Sequence, residues 1–353
     1  MTLADVATIP DLLRLVAVPV FAWVAVRDIK TRRVSSAVWI PLSLLGAVLL
    51  VWDGWLAWTA GGYAWTYDFL LPTAVSLGFV VPIAYLFWWV GGIGGADAKA
   101  LLVLALLFPV YPEYAVGSWT FPLTTMPVAA FAFTVLVNTV FIGLAAPIFL
   151  AVRNAVAGRF TGVMFIGWPV SWDAVPETHG RLLETPDGPS RGGLDLDALR
   201  MYLRWRGLTL VDVRDDPDRY RDPATLPDEP NPPTDGAVTA AVRGDGGTAF
   251  EAESADNGAD SAGDDVETDA DARASDGEDE PPAFDDPWGA AAFLEDIDGS
   301  AYGTRPAELR EGLEVLATTE TVWISPGTPF LVPTFLGLLV ALGYGNLFIG
   351  PLL

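Results

Sequence analysis

Residues 126 to 152 read MPVAAFAFTVLVNTVFIGLAAPIFLAV, without a single Asp, Glu, Lys or Arg. A helix that crosses a bilayer needs about 20 consecutive, mostly apolar residues, and this run supplies them. It decides the class: the chain enters a membrane. Five further segments have the same character: Leu12 to Val26, Ala37 to Val51 or on to Trp58, Phe69 to Val90, Ala98 to Val110, and Pro329 to Leu353. The expected fold is an all-α polytopic membrane protein with about six transmembrane helices. The Ala98 segment is marginal in length. The Leu12 segment is short and carries Pro19 and Arg14, and Arg14 is close enough to its end to snorkel.

The whole-chain composition looks contradictory until the chain is divided. Of its 353 residues 52% are hydrophobic, yet the net charge is −24. Greasy and strongly acidic compositions rarely share one domain. Here the acids concentrate between the apolar parts, which gives five expected regions. Residues 1–156 form a five-helix membrane domain. Residues 157–214 form an ordered cytoplasmic segment, with an amphipathic helical run from Leu194 to Trp205 that Asp195 or Asp197 can cap. Residues 215–287 are an acidic tract too poor in large apolar groups to order itself. Residues 288–327 form a short helical segment, and 328–353 the last transmembrane helix. No removable leader is expected at the N-terminus, because a basic stretch before a small-residue cleavage site is absent from it.

Several chemistries are excluded at once. The chain has no cysteine, which removes disulfides, thiolate metal sites and cysteine nucleophiles. Its one histidine, His179, lies in a polar stretch and reads as solvated or structural. Neither a metal nor a cofactor is expected. Scarce lysine beside abundant Asp and Glu is the composition of proteins adapted to concentrated salt, and nothing suggests nucleic-acid binding.

Positive charge orients the spans. Arg27, Lys30, Arg32 and Arg33 follow the first, Lys99 sits between the third and fourth, and Arg153 and Arg159 follow the fifth. The opposite loops, 52 to 67 and 111 to 125, contain no Lys or Arg and are rich in Trp and Tyr. This arrangement predicts that Asp28 and Asp97 share the cytoplasmic face at similar depth. Asp11, Asp53, Asp68 and Glu113 then map to the other face, with Asp68 as a solvated cap.

Both lysines of the chain stand two residues after an aspartate, in Arg27-Asp28-Ile29-Lys30 and in Gly94-Gly95-Ala96-Asp97-Ala98-Lys99. The bland reading is a pair of ordinary helix-end charges. The sharper one is a carboxylate pair able to activate water. Glycines 94 and 95 allow a tight loop at membrane depth and close approach of a substrate strand. Lys30 and Lys99 either lower the pair's pKa or anchor the helices at the interface.

The stretch Asp28-Ile29-Lys30-Thr31-Arg32-Arg33-Val34-Ser35-Ser36, together with Gly94 to Lys99, resembles the archaeal preflagellin and prepilin peptidases. These are membrane aspartic proteases of the type IV prepilin peptidase family. In that family a first aspartate opens a D-x-K/R-T segment and a second closes a G-x-G-D pattern. Asp28 matches the first and Asp97 the second. Ala96 replaces a glycine of the strict pattern, and Ser35-Ser36 stands where Pro-Asn is frequent. Gly193 to Leu199 and Ile324 to Pro333 also look like features of the archaeal branch.

The resemblance implies catalytic Asp28 and Asp97, with Gly94, Gly95, Lys30 and Lys99 in support. It implies archaellin and pilin precursors with basic leader peptides as substrates, cut at the cytoplasmic face of a lipid bilayer. The cysteine-rich zinc domain of many bacterial relatives is absent, so peptidase activity alone is expected. Two other readings remain at this stage: an ion-coupled transporter or channel using the paired aspartates, and a non-catalytic membrane scaffold.

Overall fold

A computed structural model describes residues 6–31, 34–90, 92–125, 130–190, 192–238, 284–297, 301–327 and 329–347. The chain opens with α1 (Ile9–Arg14), α2 (Ala17–Thr31) and α3 (Trp39–Ala60), then α4 (Leu71–Val75), α5 (Val81–Trp89) and α6 (Gly95–Leu107). A hairpin of β1 (Tyr114–Val116) and β2 (Trp119–Phe121) precedes α7 (Phe131–Gly143) and α8 (Ala145–Val156). Next come β3 (Trp168–Ser171), β4 (Arg181–Leu182), β5 (Glu184–Thr185), β6 (Gly188–Pro189), α9 (Leu196–Arg206), α10 (Leu210–Asp215) and α11 (Pro217–Arg221). The last elements are α12 (Ala290–Asp296), α13 (Pro306–Thr318), β7 (Thr321–Ser325) and α14 (Leu331–Gly343). These elements form two units, Met1–Phe149 with Thr328–Leu353, and Leu150–Gly327.

The first unit is the polytopic membrane part. Four helical runs are long and apolar enough to span: Ile9–Thr31, Ser36–Ala60, Ala64–Trp89 and Phe131–Val156. The third is continuous because π-helical turns, Ala64–Leu70 and Ser76–Val80, link α4 and α5 into it. Each wide turn lies just ahead of a proline, Pro72 or Pro82, whose missing N–H interrupts the regular ladder.

The other two expected spans are shorter than a bilayer. With 13 residues each, α6 and α14 reach about 20 Å at ~1.5 Å per residue, against a hydrocarbon core of ~30 Å. Pro109 ends α6, because the residue before a proline is driven out of the helical region and Phe108 adopts φ −125°, ψ 55°. The end of the last expected span, 348–353, lies outside the described residues.

The helix α6 is buried around most of its circumference, through Ala98, Ala100, Leu101, Val103, Leu104, Ala105 and Leu107. A short helix that is apolar on every side belongs inside a bundle, and α6 packs against α3, α5 and α7. Gly46 makes the α3 contact close: a Cβ there would come within 3.2 Å of the Leu107 backbone nitrogen. Asn138 of α7 donates from Nδ2 to the Gly345 carbonyl at 2.8 Å and accepts from Leu347 N–H at 3.0 Å, tying the segment after α14 to the bundle.

Two sequence expectations in this unit are corrected. Arg14 does not snorkel: it is 1% exposed and bonded to Asp11, Asp53 and the Leu107 carbonyl. Asp68 is exposed but lies inside the Ala64–Leu70 turn, where Tyr63 holds the N-cap position.

The second unit is not purely helical. Strand β7 is the centre of an antiparallel sheet of order β3-β7-β4, with Trp168 opposite Ile324 on one side and Leu182 opposite Ile324 on the other. Val322 and Ile324 alternate inward with period two. They join a core with Leu199, Tyr202, Trp205, Phe293 and Leu313. Asp195 caps α9 by accepting from Asp197 N–H at 2.9 Å, while Asp197 pairs with Arg200. Order also runs further into the acidic stretch than its composition suggests. Arg200 Nε donates to the Gly236 carbonyl at 2.6 Å, and Arg206 donates to the carbonyls of Tyr220 and Trp288. Arg221 meets both oxygens of Glu314 at 2.7 and 2.6 Å. Arginines thus supply the donors that the loop carbonyls need. Residues 239–283 of that tract lie outside the described residues.

Candidate active site

Asp28 lies in the last turn of α2, on the buried face that also carries Ala17, Phe21, Val24 and Ala25. Positions 17, 21, 24 and 28 recur at three or four residues, so one helix face holds them all. Asp97 stands in the first turn of α6. Its Oδ2 accepts the N–H of the N-cap residue Gly94 at 3.0 Å, and the helix dipole favours an acid there. A Cβ on Gly94 would sit 3.1 Å from that oxygen, so glycine keeps the approach to the carboxylate open. Gly95 begins the helix under Trp88.

Asp97 precedes the apolar run that starts at Ala98, and its carboxyl is pushed up to about 7. Burial is the main cause, the Gly94 N–H opposes it, and the charge of Asp28 raises it further. The last effect places the two acids in one electrostatic neighbourhood, since Coulomb energy falls with distance.

Other contacts agree on which ends of the helices meet. Lys99 Nζ donates to the Ser36 hydroxyl at 2.7 Å, so the start of α6 lies beside the turn that opens α3. At the far end of α6, Arg14 Nε donates to the Leu107 carbonyl at 2.7 Å. The acids of the bundle therefore sort by end, with Asp28 and Asp97 at one and Asp11 and Asp53 at the other. Asp68 belongs with the second group: it adjoins Phe69, whose ring lies against Gly54. Lys30 and Lys99 are both exposed. Ser36 was not singled out by sequence reasoning, although it falls inside the first aspartate's motif. Among the described residues, no group of three or more His, Asp or Glu side chains gathers to hold a metal.

These contacts bring Asp28 and Asp97 to the same end of the bundle. Residues 15–151 match the type IV leader peptidase family. The chain is 33% identical over 134 residues to a preflagellin peptidase of Methanococcus voltae, covering 37% of this chain and 52% of that protein. It is 25% identical over 135 residues to a preflagellin peptidase of Methanocaldococcus jannaschii, covering 38% and 54%. The chain spans about half the length of these curated relatives.

Proposed function

We propose that this chain is a membrane aspartic endopeptidase of the type IV leader peptidase family, acting on archaellin and pilin precursors. The observation that carries the reading is the placement of Asp28, in the last turn of α2, and Asp97, in the first turn of α6, at one end of the bundle, within the segment that matches the family. Two neighbouring carboxylates do not both ionise easily, so one retains a proton and the other acts as base toward a bound water. The water attacks the scissile carbonyl while the protonated partner donates a hydrogen bond to its oxygen. Gly94 leaves room for an extended substrate backbone, and Lys99 holds the helix start through Ser36.

The positive-charge rule assigns the aspartates and the insert to the cytoplasmic side. The substrate there is a short basic leader followed by a hydrophobic helix, cut just before that helix enters the lipid. In concentrated salt the Debye length falls to about 3 Å, so the acidic tract steers basic leaders weakly and serves solubility instead.

The test is cleavage of a leader-bearing precursor by the purified full chain in detergent or lipid. Asp28→Asn and Asp97→Asn should each abolish the cut while the protein remains inserted and folded. Cleavage that survives either substitution removes the dyad mechanism. A wild-type protein that cuts no leader-bearing precursor removes the peptidase reading.

A further inference from the structure

We propose that Arg14 is a positioning residue that sets the axial register between the two helices bearing Asp28 and Asp97. Its catalytic consequence rests on the peptidase reading above; its geometric consequence does not.

Arg14 ends α1 and leads through Leu15 and Val16 into α2, within one spanning run, Ile9–Thr31. The break at Leu15 has a local cause, because Pro19 has no N–H to donate to the Leu15 carbonyl. The Arg14 side chain is buried, and its guanidinium fork has three acceptors on three segments. Nε reaches the carbonyl of Leu107, the last residue of α6; Nη1 reaches Asp11; Nη2 reaches Asp53 on α3. The carbonyls at a helix C-terminus lack partners within the helix and attract cations, so Leu107 is a natural acceptor. Asp11 is itself held, by the Thr8 hydroxyl at 2.7 Å and, through its carbonyl, by the Tyr114 hydroxyl at 2.9 Å.

Much of the buried packing among these helices is apolar, through Phe21, Val24, Trp39, Leu42, Val103 and Leu104, and the Lys99–Ser36 bond at the other end is exposed. Apolar contact is non-directional and tolerates sliding along the helix axis. Hydrogen bonds to a fixed carbonyl do not. A slip by one residue moves a helix about 1.5 Å along its axis. The far end moves with it, so Asp97 would shift against Asp28 by the same amount. Misplacement of about 1 Å can lower a rate about 100-fold. A buried arginine in a membrane is costly unless fully paired; here Asp11 pairs with it within α1, while Asp53 and the Leu107 carbonyl pair with it across the bundle, at the end away from Asp28 and Asp97.

The experiment uses the full-length chain, whose lack of cysteine allows two labels to be placed cleanly. Spin labels at Ile29→Cys and Leu102→Cys, both exposed positions, report the distance between α2 and α6. Arg14→Met alone strands Asp11 and Asp53 and risks misfolding. It is therefore compared with Arg14→Met/Asp11→Asn/Asp53→Leu, since replacing a whole buried ion cluster by apolar groups often preserves folding. Arg14→Lys keeps the charge but not the fork.

The proposal expects the triple variant to stay folded, with a broadened or shifted distance distribution. On a leader-bearing precursor, kcat should fall about tenfold or more while KM stays within about twofold, and Arg14→Lys should recover part of the loss. A folded triple variant with unchanged distance distribution and unchanged kcat overturns it, as does a kcat loss that only follows the folded fraction. If the wild type fails to cleave, the peptidase reading falls while the distance measurement still judges the register.

Discussion

Lys99 Nζ donates to the Ser36 hydroxyl at 2.7 Å, a bond that joins the first turn of α6 to the 3-10 turn that starts α3. It links residues 63 positions apart, next to Asp97 in one helix and within the motif opened by Asp28 in the other segment. The lysine is exposed, so the bond contributes modestly. Lys99→Met and Ser36→Ala should each reduce cleavage by less than about tenfold. The double variant should lose no more than the worse single one, because residues in one bond are not additive. Initial rates on a leader-bearing precursor give the answer, and full additivity would mean that the two act separately.

The raised Asp97 carboxyl sets the direction of the pH response. A group whose folded pKa is about 7 is protonated below that value and ionised above it. If the protonated partner must donate to the substrate carbonyl, cleavage should fall as pH rises through about 7. The stability term has the same sign: relative to an unfolded aspartate near 3.9, it is fully present below that value and lost as pH rises through 7. A rate profile measured between about pH 5 and 9 decides, and a rate that climbs steadily to pH 9 would contradict the assignment.

Asp68 provides the control acid. It is exposed and sits at the Asp53 end of the bundle, so Asp68→Asn should leave cleavage within about twofold of wild type, as for most surface substitutions. Strong loss at Asp68 together with tolerance at Asp28 would reverse the choice of catalytic acids.

The acidic stretch should divide sharply into dispensable and required parts. Gly236 and Trp288 flank residues 239–283, and their carbonyls accept from Arg200 and Arg206 of the same helix. The two ends are thus close enough for a short linker, and closing a shorter loop changes chain entropy little. Deleting 239–283 should leave cleavage and thermal stability near wild type. Deleting 215–285 should destabilise the second unit, because it removes Arg221, Tyr220 and Gly236 together. Equal behaviour of the two deletions would refute this division.

Glu314 predicts how acid acts on the second unit. Burial alone would raise its carboxyl, but hydrogen bonds from Arg221 and Trp288 outweigh burial and hold it below the usual range. A depressed folded pKa contributes stability above the unfolded value, about 4.3, and that stability is lost as pH falls through the folded value. Glu314→Gln should lower stability at neutral pH by about 1–2 kcal/mol and flatten the acid dependence. Thermal unfolding followed by tryptophan fluorescence at several pH values measures both effects.

Much of the membrane unit could be read from one-dimensional pattern. A bilayer sorts helices by length and apolarity, and both properties are local, so four long runs appear near the places expected. That Asp28 and Asp97 stand at one end of the bundle was also readable, since one closes an apolar run and the other opens one. Strand β7 was not. Its partners at Trp168 and Leu182 lie more than a hundred residues earlier, and a run such as Ile324-Ser325-Pro326 carries no local mark of those partners.

What the sequence by itself determined was which runs are apolar enough to cross a membrane, and that Asp28 closes one apolar run while Asp97 opens another. Hydrophobic runs, proline and the placement of positive charge act within a few residues of themselves, so no folding needs to be known to read them. Only the tertiary structure decided the fate of Arg14. By local rules a cation near a helix end reaches out to water. It turns inward here because acceptors 39 and 93 positions away, Asp53 and the Leu107 carbonyl, converge on it. Convergence over such separations comes from helices packing around α6, and no local pattern in the chain encodes it.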